Sequence, residues 1–204
     1  MKTLLVNELF KAKKFQLIER VPDDAVSLVP CMGLNDSTSF MLLLQSDEQF
    51  LLQVNKDAAF SKYGDIPVVR VSVACVLDTK VQIVGFADDG TAQIADIILE
   101  HDYMDIERRV LKPVYIECKS GNAGKYLCTV HVYGHRMFEE ETLIATHTLE
   151  IEVIDKIVPS PVNCRFHLDL WQHLSNIARK HEVSLWSDAH FEVLEQYVES
   201  LAEL

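Results

Sequence analysis

His167, Asp169 and Trp171 alternate within Phe166-His167-Leu168-Asp169-Leu170-Trp171-Gln172-His173. On a strand these three functional side chains share one face, and Phe166, Leu168 and Leu170 share the other. An indole beside a carboxylate and an amide suits a sugar: Trp171 would stack on the ring, while Asp169 or Gln172 would hydrogen-bond its hydroxyls. In a β/α barrel, the C-terminal ends of the strands carry the active site. The alternative is a buried polar network that holds the strand, with Trp171 as core. Asp169, Trp171 and Gln172 are the candidate substrate-binding residues.

Other groupings carry less chemistry. His131, Tyr133 and His135 share a face of one strand, with His147 on a strand able to pair with it. Two histidines at i and i+4 on a strand are roughly 13 Å apart, too far to share a metal, so a solvated sheet face is expected. Glu139-Glu140-Glu141 reads as a hairpin tip in water, and Asp102, Asp105 and Glu107 lack the calcium-loop spacing. The sequence has no G-x-S-x-G, P-loop or G-x-G-x-x-G motif. Cys31, Cys75, Cys118, Cys128 and Cys164 are odd in number and form no C-x-x-C pair, so buried free thiols are expected rather than zinc or redox sites. No catalytic residue, metal ligand or cofactor is assigned in this chain.

The elements that must position these residues fall into two patterns. From about residue 12 to 158 the apolar period is two, as in Val69, Val71, Val73, Cys75 and Leu77, and again in Leu149, Ile151 and Val153. Further strands are expected at Phe15–Arg20, Val26–Cys31, Phe40–Leu44, Phe50–Val54, Val81–Phe86, Val114–Lys119 and Lys125–Tyr133. Turn signals such as Asp88-Asp89-Gly90 and Ser120-Gly121-Asn122-Ala123-Gly124 separate them. Many short strands without βαβ alternation predict a mainly β fold, an antiparallel β-sandwich over residues 1–158.

Val158-Pro159-Ser160-Pro161 begins a stiff, proline-marked connector over 159–164. Residues 165–204 then read as a short α/β segment, the first strand and helix of an incomplete barrel. Leu174–Lys180 suits a helical turn. Ser187 suits a helix cap, Asp188 its positive end, and Trp186 a hydrophobic staple onto Phe191. Phe191, Leu194, Tyr197, Val198, Leu201 and Leu204 form an apolar stripe. No Gly or Asn ends this helix, and Glu203 lies at its negative end, so the segment reads as cut. The alternative is that the helix docks on the sandwich.

Across 204 residues the net charge is −12, which sets the chain against nucleic acid and anionic membrane surfaces. No apolar run is long enough to span a bilayer. Met1-Lys2-Thr3-Leu4-Leu5-Val6 opens like a signal peptide, but Asn7, Glu8, Lys11, Lys13 and Lys14 interrupt it. A cytoplasmic chain is expected.

His167-Leu168-Asp169-Leu170-Trp171-Gln172, then Ala178-Arg179, then Trp186-Ser187-Asp188-Ala189-His190-Phe191 resemble the start of the catalytic barrel in glycoside hydrolase family 123-like proteins. Pro113-Val114-Tyr115-Ile116, Ala123-Gly124-Lys125-Tyr126 and the two connector prolines resemble that family's sandwich and its approach to the barrel. Leu174 and Lys180-His181 depart from it, where the family often has a proline and an aromatic pair. The resemblance implies a parent enzyme hydrolysing β-linked N-acetylgalactosamine, with the substrate's acetamido group attacking beside an Asp-Glu pair. No such pair follows residue 165, so this chain alone is expected to lack activity and to support the barrel and its cleft, carbohydrate being the parent's partner. Two alternatives stand beside it. One is a carbohydrate-binding module using Tyr63, Tyr103, Tyr126 and Tyr133; the other is an assembly domain forming a homo-oligomer through a sheet edge or the uncovered helix.

Overall fold

The computed structural model describes residues 1–55, 65–119, 121–160, 163 and 173–202. They divide into two compact units, Met1–Val158 and Pro159–Leu204.

The first unit is two packed sheets. One has five strands in the order β1 (Lys2–Asn7), β3 (Ser37–Gln45), β9 (Lys112–Lys119), β6 (Asp78–Asp88) and β7 (Gln93–Leu99), with every pairing antiparallel. The other has six, in the order β2 (Cys31–Leu34), β11 (Thr142–Ile157), β10 (Gly124–His135), β5 (Val68–Ala74), β4 (Phe50–Val54) and β8 (Tyr103–Ile106). Its β2–β11 and β4–β5 pairs are parallel, and the rest are antiparallel. The fold is mainly β, a sandwich followed by a short helical segment.

Alternation builds the core. Leu42, Leu44, Ile83, Val114 and Ile116 from one sheet meet Leu52, Val71, Val130, Val132 and Ile151 from the other, all essentially without solvent contact. Each such side chain stabilises the fold by about 1.5–3 kcal/mol relative to exposure. The run Phe40-Met41-Leu42-Leu43-Leu44 has no polar alternate because β3 is buried on both faces. Met41 and Leu43 point outward into a second cluster with Val6, Ala12, Ile18, Ala25 and Leu111.

That second cluster corrects two expected strands. Phe15–Arg20 is not a strand but part of a strap over the outer face of the five-stranded sheet, with a 3-10 turn at Ile18–Arg20. Val26–Cys31 gives way to a four-residue helix, α1 (Asp23–Val26), and β2 starts at Cys31. The strap is pinned by main-chain bonds from Ala95 N–H to the Ala12 carbonyl (2.8 Å) and from Leu111 N–H to the Lys14 carbonyl (2.8 Å). Gln45, nearly inaccessible, completes the seam. Its amide donates to the carbonyls of Gln16 (2.9 Å) and Arg109 (3.0 Å), and its Oε1 accepts from Ile18 N–H (3.0 Å). A buried amide satisfied in this way tolerates no apolar substitute without stranding main-chain groups.

The alternation from Val69 to Leu77 does not end as one strand. β5 stops at Ala74, and Cys75-Val76-Leu77 forms the corner through which the chain passes to β6 in the other sheet. Among the cysteines, Cys118 and Cys128 are buried, Cys75 is half-buried and Cys31 is exposed, contrary to the expectation for Cys31. Cys164 lies outside the described residues.

In the second unit α2 (Leu174–Lys180) and α3 (Asp188–Ala202) bury Ile177, Ala178 and His190. Leu194, Tyr197 and Leu201 of the expected stripe are partly covered, while Phe191 and Val198 stand exposed.

Candidate functional site

A group of charged and aromatic side chains gathers where β5, β10 and β11 run side by side. The register places Arg70 opposite Tyr133, and the chain turns back through Glu139-Glu140-Glu141 before β11. Arg70 grips Glu141 with two prongs, Nε to Oε1 at 2.7 Å and Nη2 to Oε2 at 2.6 Å. Its guanidinium lies 4.4 Å from the centre of the Tyr133 ring, and the buried His135 Nδ1 is 3.9 Å from Glu141 Oε1. Glu141 is therefore not part of a solvated hairpin tip: its side chain keeps 24% of its exposure and Arg70 keeps 16%. Glu139 and Glu140 are exposed, as the turn predicts.

A cleft of about 220 Å³ opens beside this group, lined by Glu48, Phe50, His135, Arg136, Glu139 and Thr142 among others. Arg136 donates to Glu48 and to the Asp65 carbonyl (2.8 Å). Asp47, the neighbour of Glu48, is held by Arg109 Nε at 3.0 Å. Asp47-Glu48 is an adjacent Asp-Glu pair that sequence reading passed over. It sits in the turn between β3 and β4 with both carboxylates exposed and each given to an arginine.

At Glu141, Glu19 and Asp89 the surroundings favour a fixed ion. The Arg70 guanidinium, hydrogen-bonded to Glu141, holds that carboxyl below the usual range against an opposing push from burial. Glu19 is held low by Lys2, and Asp89 by the N–H groups of Ala92 and Thr91. A glycosidase general acid needs the reverse, a carboxyl raised so that it stays protonated. Among the described residues no group of three or more His, Cys, Asp or Glu side chains is placed to hold a metal ion. No described helix is long and apolar enough to cross a membrane.

The histidines divide between faces. His131 lies on the outer face, 5.9 Å from the Tyr133 ring and within 3.4 Å of Thr146 Oγ1. His147 pairs with Val130 rather than with His131. It reaches Thr3 Oγ1 of β1 at 2.8 Å, and burial lowers its pKa. Of the tyrosines, Tyr126 packs on the sandwich core and Tyr133 lies under Arg70. Tyr63 lies outside the described residues.

Asp169, Trp171 and Gln172 also lie outside the described residues, as does the whole His167–Gln172 segment. Their downstream partner motif is described, and its geometry is structural. Ser187 caps α3: its Oγ accepts from His190 N–H at 3.2 Å and donates to the Ser184 carbonyl at 2.7 Å. His190 is fully buried; its Nδ1 accepts from Trp186 N–H at 3.1 Å, and its Nε2 lies 3.1 Å from the Leu174 carbonyl. Trp186, at φ 64°, sets its ring 6.1 Å from that of Phe191. The Trp-Ser-x-x-His-Phe pattern is thus a helix start that also ties α3 to the first residue of α2.

Two comparisons with known proteins point to the same family, one in C-terminal sequence and one in fold. The model of the glycoside hydrolase 123 catalytic domain matches residues 171–204, a span that includes Trp171 and Gln172 and begins after Asp169. A solved structure of a family 123 glycoside hydrolase from Clostridium perfringens, described in connection with glycolipid glycan hydrolysis, is similar in fold at a TM-score of 0.68 and 15% identity. The match covers 99% of this chain and 36% of that one, so the chain spans little more than a third of that structure's length. Looser matches are SSP-19, an MSP-domain-like protein of Caenorhabditis elegans, at a TM-score of 0.31, 9% identity and coverage of 61% of this chain and 94% of that one. The PapD-like domain 7 of human CEP192 stands at 0.28 and 12%, with coverage of 63% and 80%. No curated protein matches the chain. In C-terminal sequence and in fold, the chain is glycoside hydrolase 123-like.

Proposed function

We propose that this chain is the non-catalytic N-terminal β-sandwich of a glycoside hydrolase, followed by the opening strand and helix of its catalytic barrel. The parent enzyme would cleave β-linked N-acetylgalactosamine, the sandwich supporting the barrel and walling part of its cleft. The observation that carries this reading is the joint match. The family's catalytic-domain model takes over at residue 171, where the sandwich has ended, and the fold match runs through the whole chain. Two features support it. Glu19, Asp89 and Glu141 are held ionised, which suits a scaffold, and Phe191 and Val198 stay exposed on α3, which suits a helix with further barrel neighbours.

Within that reading, Trp171 would stack on a sugar and Asp169 or Gln172 would hold its hydroxyls, and the protein would be cytoplasmic. The test is hydrolysis of a chromogenic β-N-acetylgalactosaminide by this chain and by the chain extended through its downstream coding sequence. Activity only in the extended protein, with Trp171→Ala raising KM there, is the expected result. Turnover by residues 1–204 alone, or an extended protein that cleaves no N-acetylhexosaminide, would overturn it.

A further inference from the structure

The register of β5 and β10 brings two cysteines together. Val130 pairs with Val73 and Thr129 with Ala74, the last pair of the ladder, so Cys128 and Cys75 are the residues that adjoin this pair as the chain enters the corner. Both side chains lie on the core face: Cys128 belongs to the buried cluster and Cys75 packs against it. Directly opposed residues of an antiparallel pair have Cα atoms about 4.5–5.5 Å apart, inside the roughly 4.4–6.8 Å span of a disulfide. Cys118 approaches from the facing sheet, and its thiol and that of Cys75 both reach Cys128.

We propose that Cys75 and Cys128 are an oxidisable pair, which a small-molecule disulfide closes into a cross-strand bond pinning β10 to the corner where the chain passes between the sheets. Access decides the order of events. Cys118 and Cys128 have no solvent exposure, whereas Cys75 is half-buried beside the exposed Val76. Its hydrogen bond with Cys118, then burial, push Cys128 far up, so it does not start the reaction. The Cys75 thiolate attacks one sulfur of the reagent disulfide and expels the other as a thiolate. Cys128 then attacks the Cys75 sulfur of the mixed disulfide, gives up its proton and releases the second reagent thiol. Two protein thiols are oxidised to one disulfide, and one reagent disulfide is reduced to two thiols. Cys118, without solvent exposure, meets no reagent and takes no part in the exchange.

The experiment incubates the full chain with oxidised glutathione, alkylates remaining thiols after denaturation, and maps the peptides by mass spectrometry. The expected result is a Cys75–Cys128 linked peptide with Cys118 alkylated, and a thermal midpoint raised by about 5–10 °C. Cys75→Ser, a near-isosteric change at a half-buried site, should abolish both. A Cys118–Cys128 link, glutathione retained on Cys75, or both Cys75 and Cys128 alkylated would overturn the proposal.

Discussion

Arg70 and Glu141 meet in a two-pronged ion pair at 2.7 and 2.6 Å, joining β5 to the turn that leads into β11. Both side chains are largely withdrawn from water, at 16% and 24% of their exposure. Removing one partner leaves the other buried without its counter-charge, which costs more than the pair itself contributes. Arg70→Met should therefore destabilise the sandwich by about 2–3 kcal/mol, Glu141→Gln by less, and the double variant by less than the sum. The pH dependence has a defined sign. The Glu141 pKa is lowered on folding, so the pair's contribution is full above the unfolded value of about 4.3 and is lost as pH falls through the folded value. In urea titrations the gap between the native protein and Glu141→Gln should close below about pH 4; a gap that stays constant into acid would refute the assignment.

Lys112 lies at the start of β9 without solvent exposure, its ammonium given to the Val84 carbonyl and set 5.2 Å from the centre of the Phe86 ring. The ladder explains the need. Ile83 pairs with Val114, and the next residue along β9, Pro113, has no N–H to give. Burial, with a smaller push from Lys14, brings the Lys112 pKa down to about 8. The unfolded chain then binds more protons between about pH 8 and 10.5, so stability rises with pH across that window and the cost of the buried charge is complete below it. Lys112→Met should abolish that rise, of about 3 kcal/mol. At pH 7 the lost charge and the stranded carbonyl offset one another to within about 1–2 kcal/mol. Parallel stability profiles for the two proteins from pH 7 to 10 would contradict the burial argument.

How much of this was legible depends on what each residue faces. Phe50–Val54 reads from its residues as a strand and is one, because Phe50, Leu52 and Val54 alternate onto the core. β1 was read only as an interrupted leader, and the edge strands β7 and β8 were missed, because edges carry Ile97, Ile98, Tyr103 and Asp105 with little alternation. The Phe15–Arg20 strap was misread as a strand because its apolar residues serve a sheet's outer face, a tertiary demand that local period does not encode. Glu141 looked like its two acidic neighbours. Only Arg70, distant in sequence, distinguishes it. Asp47-Glu48 was a visible pair whose arginine partners were not. The Trp186–Phe191 staple and the Ser187 cap were read correctly, since capping depends on residues a few positions apart.

His190 extends that local logic. It stands three residues after the capping Ser187, where a capping box would place Glu, and its ring reaches back to Trp186 N–H while its other nitrogen meets the Leu174 carbonyl. With Nδ1 accepting, the proton resides on Nε2 and donates to that carbonyl, so one neutral imidazole satisfies a donor and an acceptor from two helix starts. His190→Ala should strand the Trp186 N–H, remove a second bond to the Leu174 carbonyl and open a cavity, at a cost of about 3–4 kcal/mol to the helical unit. His190→Phe fills the space but restores neither bond, and should recover less than half of the loss. Amide hydrogen exchange resolves this by segment: protection should fall over α2 and α3 and stay unchanged in β3, β9 and β10. Full rescue by Phe would mean that volume, not hydrogen bonding, holds the helix start.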